Sequence, residues 1–386
     1  MSSFLADHRE HRKNVRLISK TKVASEGAGQ IIVDNKTAYI SHMESEGVTL
    51  VDVKDPLRPS VLSKVKPPYN THSHKVQVSG DIMIVNNEQL DKKISSWTAG
   101  MRVFDISDKR SPREISFMRT GGRGVHRMWF VDGKYAHITA HPEGFTDCIY
   151  QIIDMQRPEA PQVISNFWLP GMWKGGGEVP TWKPGSKIRA HGPAMVVGNR
   201  AYLGWSDGGF TIIDVSDLYH PKMVSHCNLC PPFGGLTHTV LPMPERKIMI
   251  VTDEAFVDNC KEPEKLAWIV DIREETNPIP IATIQVESEG FAEKGGRFGS
   301  HNIHECRPGS LVDDQLVYIT YFNGGLRIID IQDPYRPKEV GYFIPAKPEG
   351  SSVIQTNDVF VDSDELIYIV DRFDGTLYIL EYTGPR

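Results

Sequence analysis

Apolar residues fall along this chain in short runs that alternate with polar ones and stop at Gly, Pro, Asn or Asp. IIVDNKTAYI (31–40), AMVVGNRAYL (194–203) and VFVDSDELIYIV (359–370) each place two such runs around a tight polar turn. Alternation at a period of two, broken by turn residues, predicts β-hairpins. After each hairpin comes a tag, apolar-apolar-Asp-x-x-Asp-x-x-x-Pro in its fullest form. It reads LVDVKDPLRP at Asp52, VFDISDKRSP at Asp105, IIDMQRPEAP at Asp154, IIDVSDLYHP at Asp214, IVDIREETNP at Asp271 and IIDIQDPYRP at Asp330. The tag aspartates are 53, 49, 60, 57 and 59 residues apart. A further strand follows each tag, as in SVLSKV or KEVGYF. Every unit therefore reads as four strands, and repeats of this length predict a β-propeller.

Six tags give six blades, and residues 358–382 add a seventh hairpin and a third strand, TLYILEY, with no fourth. Residues 15–23, VRLISKTKV, look like the fourth strand of the other units (PSVLSKVK, 59–66). They are expected to pair into the last blade and close the ring, which removes an open sheet edge. The predicted fold is all-β: one seven-bladed β-propeller domain over 1–386, with 1–14 as an N-terminal extension and 15–23 as the closing strand. The tags resemble those of the LVIVD-repeat β-propeller family. That resemblance implies the fold and says little about chemistry. Asp52, Asp105, Asp214 and Asp330 are expected to form Asx-type turns with their prolines and not to be catalytic.

Length alone would allow two or three domains in 386 residues, and the repeat reduces this to one. The 33 glycines and 26 prolines mark turns between strands. A balance of 43 basic against 49 acidic residues leaves no basic stripe, so no nucleic-acid partner is expected. No apolar leader or membrane-length run occurs, so neither secretion nor a membrane partner is expected. Five cysteines fit reduced thiols in the cytoplasm. Cys227-Asn-Leu-Cys230 has no second CxxC, which argues against structural zinc. Cys306, near His304, is a weak nucleophile candidate. The GGG at 175–177 has no helix behind it and no GxSxG occurs, so neither a nucleotide cofactor nor a serine hydrolase is expected.

The 14 histidines carry the candidate chemistry. Ten residues before the second-strand cores stand Ala28, His72, His126, His191, His238 and Asn357. Blade six has a longer hairpin, where His304 or His301 fills the slot, and His74 is an alternative to His72. First strands line a propeller's channel, so equivalent positions converge on its axis. His72, His126, His191, His238 and His304 are therefore the candidate ligands of a divalent transition metal, iron by preference and copper, manganese or zinc otherwise. Past the second strands, Glu44, Glu88 and Glu254 form a second ring at the same mouth. Glu88, Glu254 and Glu305 are the candidate catalytic carboxylates, as bases or as orienters of the imidazoles.

Two long insertions, 166–192 and 287–302, are expected to act as lids. Trp173 and Trp182 with Arg189, Arg297 and Arg372 are the candidate substrate-binding residues, from Trp-rich walls and available cations. The predicted function is a metal-dependent oxidoreductase or oxygenase acting on a small aromatic or apolar molecule, with homo-oligomerisation left open. The arrangement is similar, in architecture only, to the four-His iron site of carotenoid-cleaving propellers and the copper-type site of the selenium-binding/methanethiol oxidase family. A redox-neutral lyase or hydrolase at the same site is the alternative, favoured if Arg and Lys outnumber aromatics at the mouth. A non-enzymatic interaction scaffold is a further alternative.

Overall fold

A computed structural model describes residues 7–44 and 46–385. Blade one is Ala28–Asp34, Thr37–His42, Val48–Asp52 and Ser60–Val65. Blade two runs from Thr71–His72 and Val76–Ser79, a broken first strand, through Ile82–Gln89 and Gly100–Asp105 to Arg113–Arg119. Blades three, four and five follow as 124–167, 195–227 and 237–284, each a four-stranded antiparallel meander. Blade six has Leu316–Thr320, Leu326–Asp330 and Lys338–Ile344, its innermost segment reduced to the single bridge between Ile303 and Ile319. Blade seven has Thr356–Val361, Leu366–Asp371 and Thr376–Tyr382. The innermost and second strands are mostly buried, with Val197 at the end of blade four's innermost strand exposed, and the apolar clusters that result lie between neighbouring blades.

The repeat tag works as a turn. Asp52, Asp105, Asp154, Asp214, Asp271 and Asp330 each accept, through Oδ1, the backbone N–H two residues on, at 2.8–3.0 Å. Each tag strand also shifts register against its fourth strand by one residue, at Leu50/Val51, Val103/Phe104 and the matching places in blades three to six. A bulge at a fixed place bends each blade alike. The motif therefore encodes curvature and carries no site.

Val15–Lys22 pairs along Thr376–Tyr382, from Val15 opposite Tyr382 to Lys22 opposite Thr376. It is the missing outer strand of blade seven. The extension ahead of it is not merely a tail, because His11–Lys13 pairs with Tyr342–Ile344 on the outer edge of blade six. One N-terminal segment thus clasps the outer edges of two neighbouring blades. Deleting residues 1–22 should expose both edges, lower the melting temperature and promote self-association, read by light scattering during a thermal ramp. An unchanged melting temperature would deny the clasp its role.

Candidate metal centre

The innermost strands do not run evenly. Their register skips at Gly29, at His126, at His238–Thr239 and at Asn357, each time just before regular pairing begins. In blade two the strand breaks at 73–75, and Lys75 N–H goes to the Asn86 side chain. A bulge re-aims the residue that it contains, and here the re-aimed residue sits at the channel. Side chains on the second strands then fix the backbone of the next blade. Ser41 Oγ donates to His74 O at 2.6 Å, Thr252 Oγ1 to His301 O at 2.6 Å, and Asn86 Nδ2 to Val125 O at 2.8 Å.

The outcome is an unbroken arc of imidazoles. Ring centroids are 3.8 Å apart from His72 to His74, 5.2 Å to His126 and 5.1 Å on to His191. The arc continues with 4.8 Å to His238 and 4.6 Å to His301. Blades seven and one supply Asn357 and Gly29 in place of histidines. Of the predicted ligands, His72, His126, His191 and His238 are brought together, joined by the alternatives His74 and His301. His304 is not. Its Nε2 donates to Leu311 O at 2.8 Å and its Nδ1 accepts from Val361 N–H at 3.1 Å, so both nitrogens are spent on backbone. Position 301 takes the slot because blade six has no regular first strand, which moves the count by three residues.

The carboxylates divide. Glu254 Oε2 lies 3.4 Å from His191 Nε2 and 3.8 Å from His238 Nε2, and Oε1 lies 3.5 Å from His301 Nε2. Glu88 Oε2 accepts from His126 Nδ1 at 2.7 Å. Glu305 is buried deeper, 3.5 Å from Arg127 and 3.4 Å from Gln30 Nε2, and touches no imidazole of the arc. The structure thus does not bring it to the imidazoles, and its Oε2 is buried without a hydrogen-bond partner among the described residues. Glu44 is exposed on the rim. Two of the three imidazole nitrogens facing away from Glu254 are occupied, His238 Nδ1 by Thr239 Oγ1 at 2.7 Å and His301 Nδ1 by Asn357 O at 3.0 Å, while His191 Nδ1 is buried with no hydrogen-bond partner among the described residues. The carbonyl forces the Nδ1–H tautomer on His301, leaving its Nε2 lone pair free, and the hydroxyl is compatible with the same state of His238.

Burial sets the electrostatics. It pushes His72 down to about 4 and holds His74, His126, His191, His238 and His301 well below the ordinary imidazole value, helped by cations such as Arg189, Arg127 and Lys75. Burial also raises Glu254, against the pull of Arg297 3.3 Å away. Neutral imidazoles are the form that binds metal. Below the arc the channel is plugged. Arg307 reaches from blade six to Gln77 Oε1 at 3.0 Å and Phe130 O at 3.1 Å, and Arg127 reaches from blade three to Asn302 Oδ1 at 3.0 Å.

Above the arc lies a cavity of about 470 Å³ with His191 on its wall. Segment 180–189 forms one side through Trp182, Lys187 and Arg189, and Phe256, Arg123 and Lys92 complete it. Arg189 is held between Glu88 and Asp147, each at 3.7 Å. Arg297 contacts Glu254 and lies 4.9 Å from the Phe256 ring centroid, while Arg372 bonds Asn357 Oδ1 at 3.0 Å. Trp173 is not on this cavity. It is 42% exposed and packs edge-on against Trp168 outside it, because Glu178 ties the loop back through Trp168 Nε1 and Gly171 N–H. Segment 287–302 is no open lid either. Phe291 and Phe298 stack at 4.5 Å in the interior, and Asn323 donates to Phe291 O and Gly295 O. Its role is to deliver Arg297 and His301. Sequence reasoning missed Arg127, Arg307 and Lys75, charged residues whose partners lie in other blades.

Burial raises Cys148 and Cys306 to about 12, which excludes a thiolate nucleophile near neutral pH. Cys227 and Cys230 are free and partly buried.

His42, His137 and His304 lie off the arc, and burial pushes each down to about 4. On acidification the unfolded chain takes up these protons first. Their contribution is therefore complete above about pH 6.5 and is lost as pH falls towards 4. Buried Asp253 and Asp371, raised to about 6, act in the opposite sense, so a difference is the clean readout. Relative to the parent, His137→Phe should gain up to about 1.4 kcal/mol per pH unit below pH 6.5, measured by urea unfolding. A pH-independent difference would contradict this.

Two segments, residues 194–229 and 312–344, match the LVIVD repeat. No curated protein matches the chain. Among solved structures, the chain is similar to the WD40 β-propeller domain of Doa1, at 9% identity over 95% of this chain and 97% of that one, with a TM-score of 0.60. It is similar also to the β-propeller domain of Cps50 (Swd1) from Myceliophteria thermophila, at 11% identity over 95% and 99%, with a TM-score of 0.59. At such identity the likeness concerns the fold.

Proposed function

We propose that this chain, a β-propeller carrying LVIVD repeats, is a metal-dependent enzyme whose centre is built from His191, His238, His301 and Glu254. One observation carries the reading: the donor atoms of His191, His238 and Glu254 lie within 4.8 Å of one another, all three residues being buried. These two imidazoles and carboxylate, with His301 beside them 3.5 Å from Glu254, suit non-haem Fe(II), which would activate O2 for oxidation of a bound substrate. The chain's own residues support that use. Thr239 and Asn357 orient the imidazoles, burial keeps them neutral, and Arg297 steadies Glu254. The substrate class shifts from the one expected. Lys92, Arg123, Lys187 and Arg189 outnumber Trp182 and Phe256 around the cavity, and although Asp147 pairs with both arginines, Lys92 and Lys187 leave an excess of positive charge that favours a small anion with a flat or apolar body. The same excess favours a redox-neutral lyase or hydrolase as the second reading, with the ion as Lewis acid and Glu254 as base.

Elemental analysis of protein purified without an affinity tag tests the centre. At least about one iron or other transition ion per chain is expected. Protein that holds no metal and regains none on anaerobic Fe(II) addition would overturn both enzymatic readings in favour of a scaffold. Oxygen consumption with small aromatic carboxylates separates the first from the second.

A further inference from the structure

The arc contains more ligands than one centre uses, and the surplus is gathered in blade two. His72 ends a short strand and His74 stands in the break that follows it, and the break brings both rings to the channel. Their rings stack at 3.8 Å with an interplanar angle of 23°. His72 pairs across the ladder with Glu88. The donor atoms of His72, His74 and Glu88 lie within 4.8 Å of one another. His72 Nε2 is buried and has no hydrogen-bond partner among the described residues. An orphaned buried nitrogen of this kind costs about 1–3 kcal/mol unless something binds it.

Blade one makes the room. Its slot residue is Gly29, where a Cβ would stand 2.5 Å from His74 O and 2.8 Å from His74 Cβ. Glycine here lets blade two push a second imidazole into space that a side chain from blade one would fill. His126 separates the two clusters, its Nδ1 committed to Glu88. Arg189, 3.7 Å from Glu88 and also paired with Asp147, can leave Glu88 Oε1 without losing its other partner.

We infer that His72, His74 and Glu88 form a second divalent-cation site, separate from the Glu254 centre, for a borderline ion such as Zn²⁺. The site shares its chemistry with the proposed centre, yet the two can fail separately. Metal-free, untagged full-length chain is loaded with Zn²⁺, passed through gel filtration and analysed for zinc. The parent should retain about two ions, Glu88→Gln and His72→Gln about one each, and His238→Gln about one. Circular dichroism checks the fold of each variant, and Glu88→Gln carries the test alone if His72→Gln does not fold. A parent with one ion that His238→Gln removes and Glu88→Gln leaves would overturn the second site. A parent ion removed by Glu88→Gln but kept by His238→Gln would support the second site and remove the first. No zinc in the parent would overturn both.

Discussion

His238→Ala should lose the metal of the Glu254 centre, with affinity falling by more than about 100-fold, because removing a ligand exceeds the ~10–100-fold typical of losing a residue that only orients one. The side chain is buried and has one fixed task. Its Nδ1 is held by Thr239 Oγ1 at 2.7 Å, which leaves Nε2, 3.8 Å from Glu254, as its only free donor. Neighbouring imidazoles cannot take its place, since hydrogen bonds to their backbones fix them: Thr252 Oγ1 of blade five anchors His301 O, and His191 N–H bonds Gly204 O of its own blade at 3.0 Å. Thr239→Val should weaken binding less, within the 10–100-fold range, because it frees the ring without removing it. Chelator competition followed by metal analysis reads both. Equal metal retention in His238→Ala and the parent would remove His238 from the centre.

The largest stability loss should come from the plug. Arg307 is 5% exposed and donates to Gln77 Oε1, Val78 O and Phe130 O. Arg307→Met keeps much of the volume yet takes the guanidinium from Val78 O and Phe130 O where water has little access, while Gln77 Oε1 keeps Phe130 N–H at 3.3 Å. At about 1–3 kcal/mol for each unsatisfied group, with partial relaxation, the cost should be about 3–5 kcal/mol. Urea unfolding should show a lower midpoint with an unchanged slope. A loss below about 1 kcal/mol would mean that water reaches those acceptors and the plug is leaky.

Much of this molecule can be read from local signals. The tag aspartates announce their turns because an Asx turn needs only the next few residues, and the closing strand repeats the pattern of SVLSKV. His126, His191 and His238 could be found by counting because their hairpins keep a regular length. The count fails where the strand itself fails. Blade two breaks at 73–75 and so presents both His72 and His74, while blade six has no regular innermost strand, which hands the slot to His301 and leaves His304 to cap backbone. Neither a bulge nor a break has a residue signature. The roles of Arg127, Arg307 and Glu305 depend on partners in other blades, up to 230 positions away for Arg307 and Gln77, and no local pattern reports such a distance. Trp173 and Trp182 look alike in sequence. Only the tether at Glu178 turns one outward while the other lines the cavity.

Arg127 and Arg307, reaching across beneath the imidazoles, make the bore a cul-de-sac. In the proposed reading, access to the centre would then run through the cavity that Trp182, Lys187, Phe256 and His191 line. If the proposed centre turns a substrate over, its product would leave by the way the substrate came, so the product should compete with substrate for the free protein.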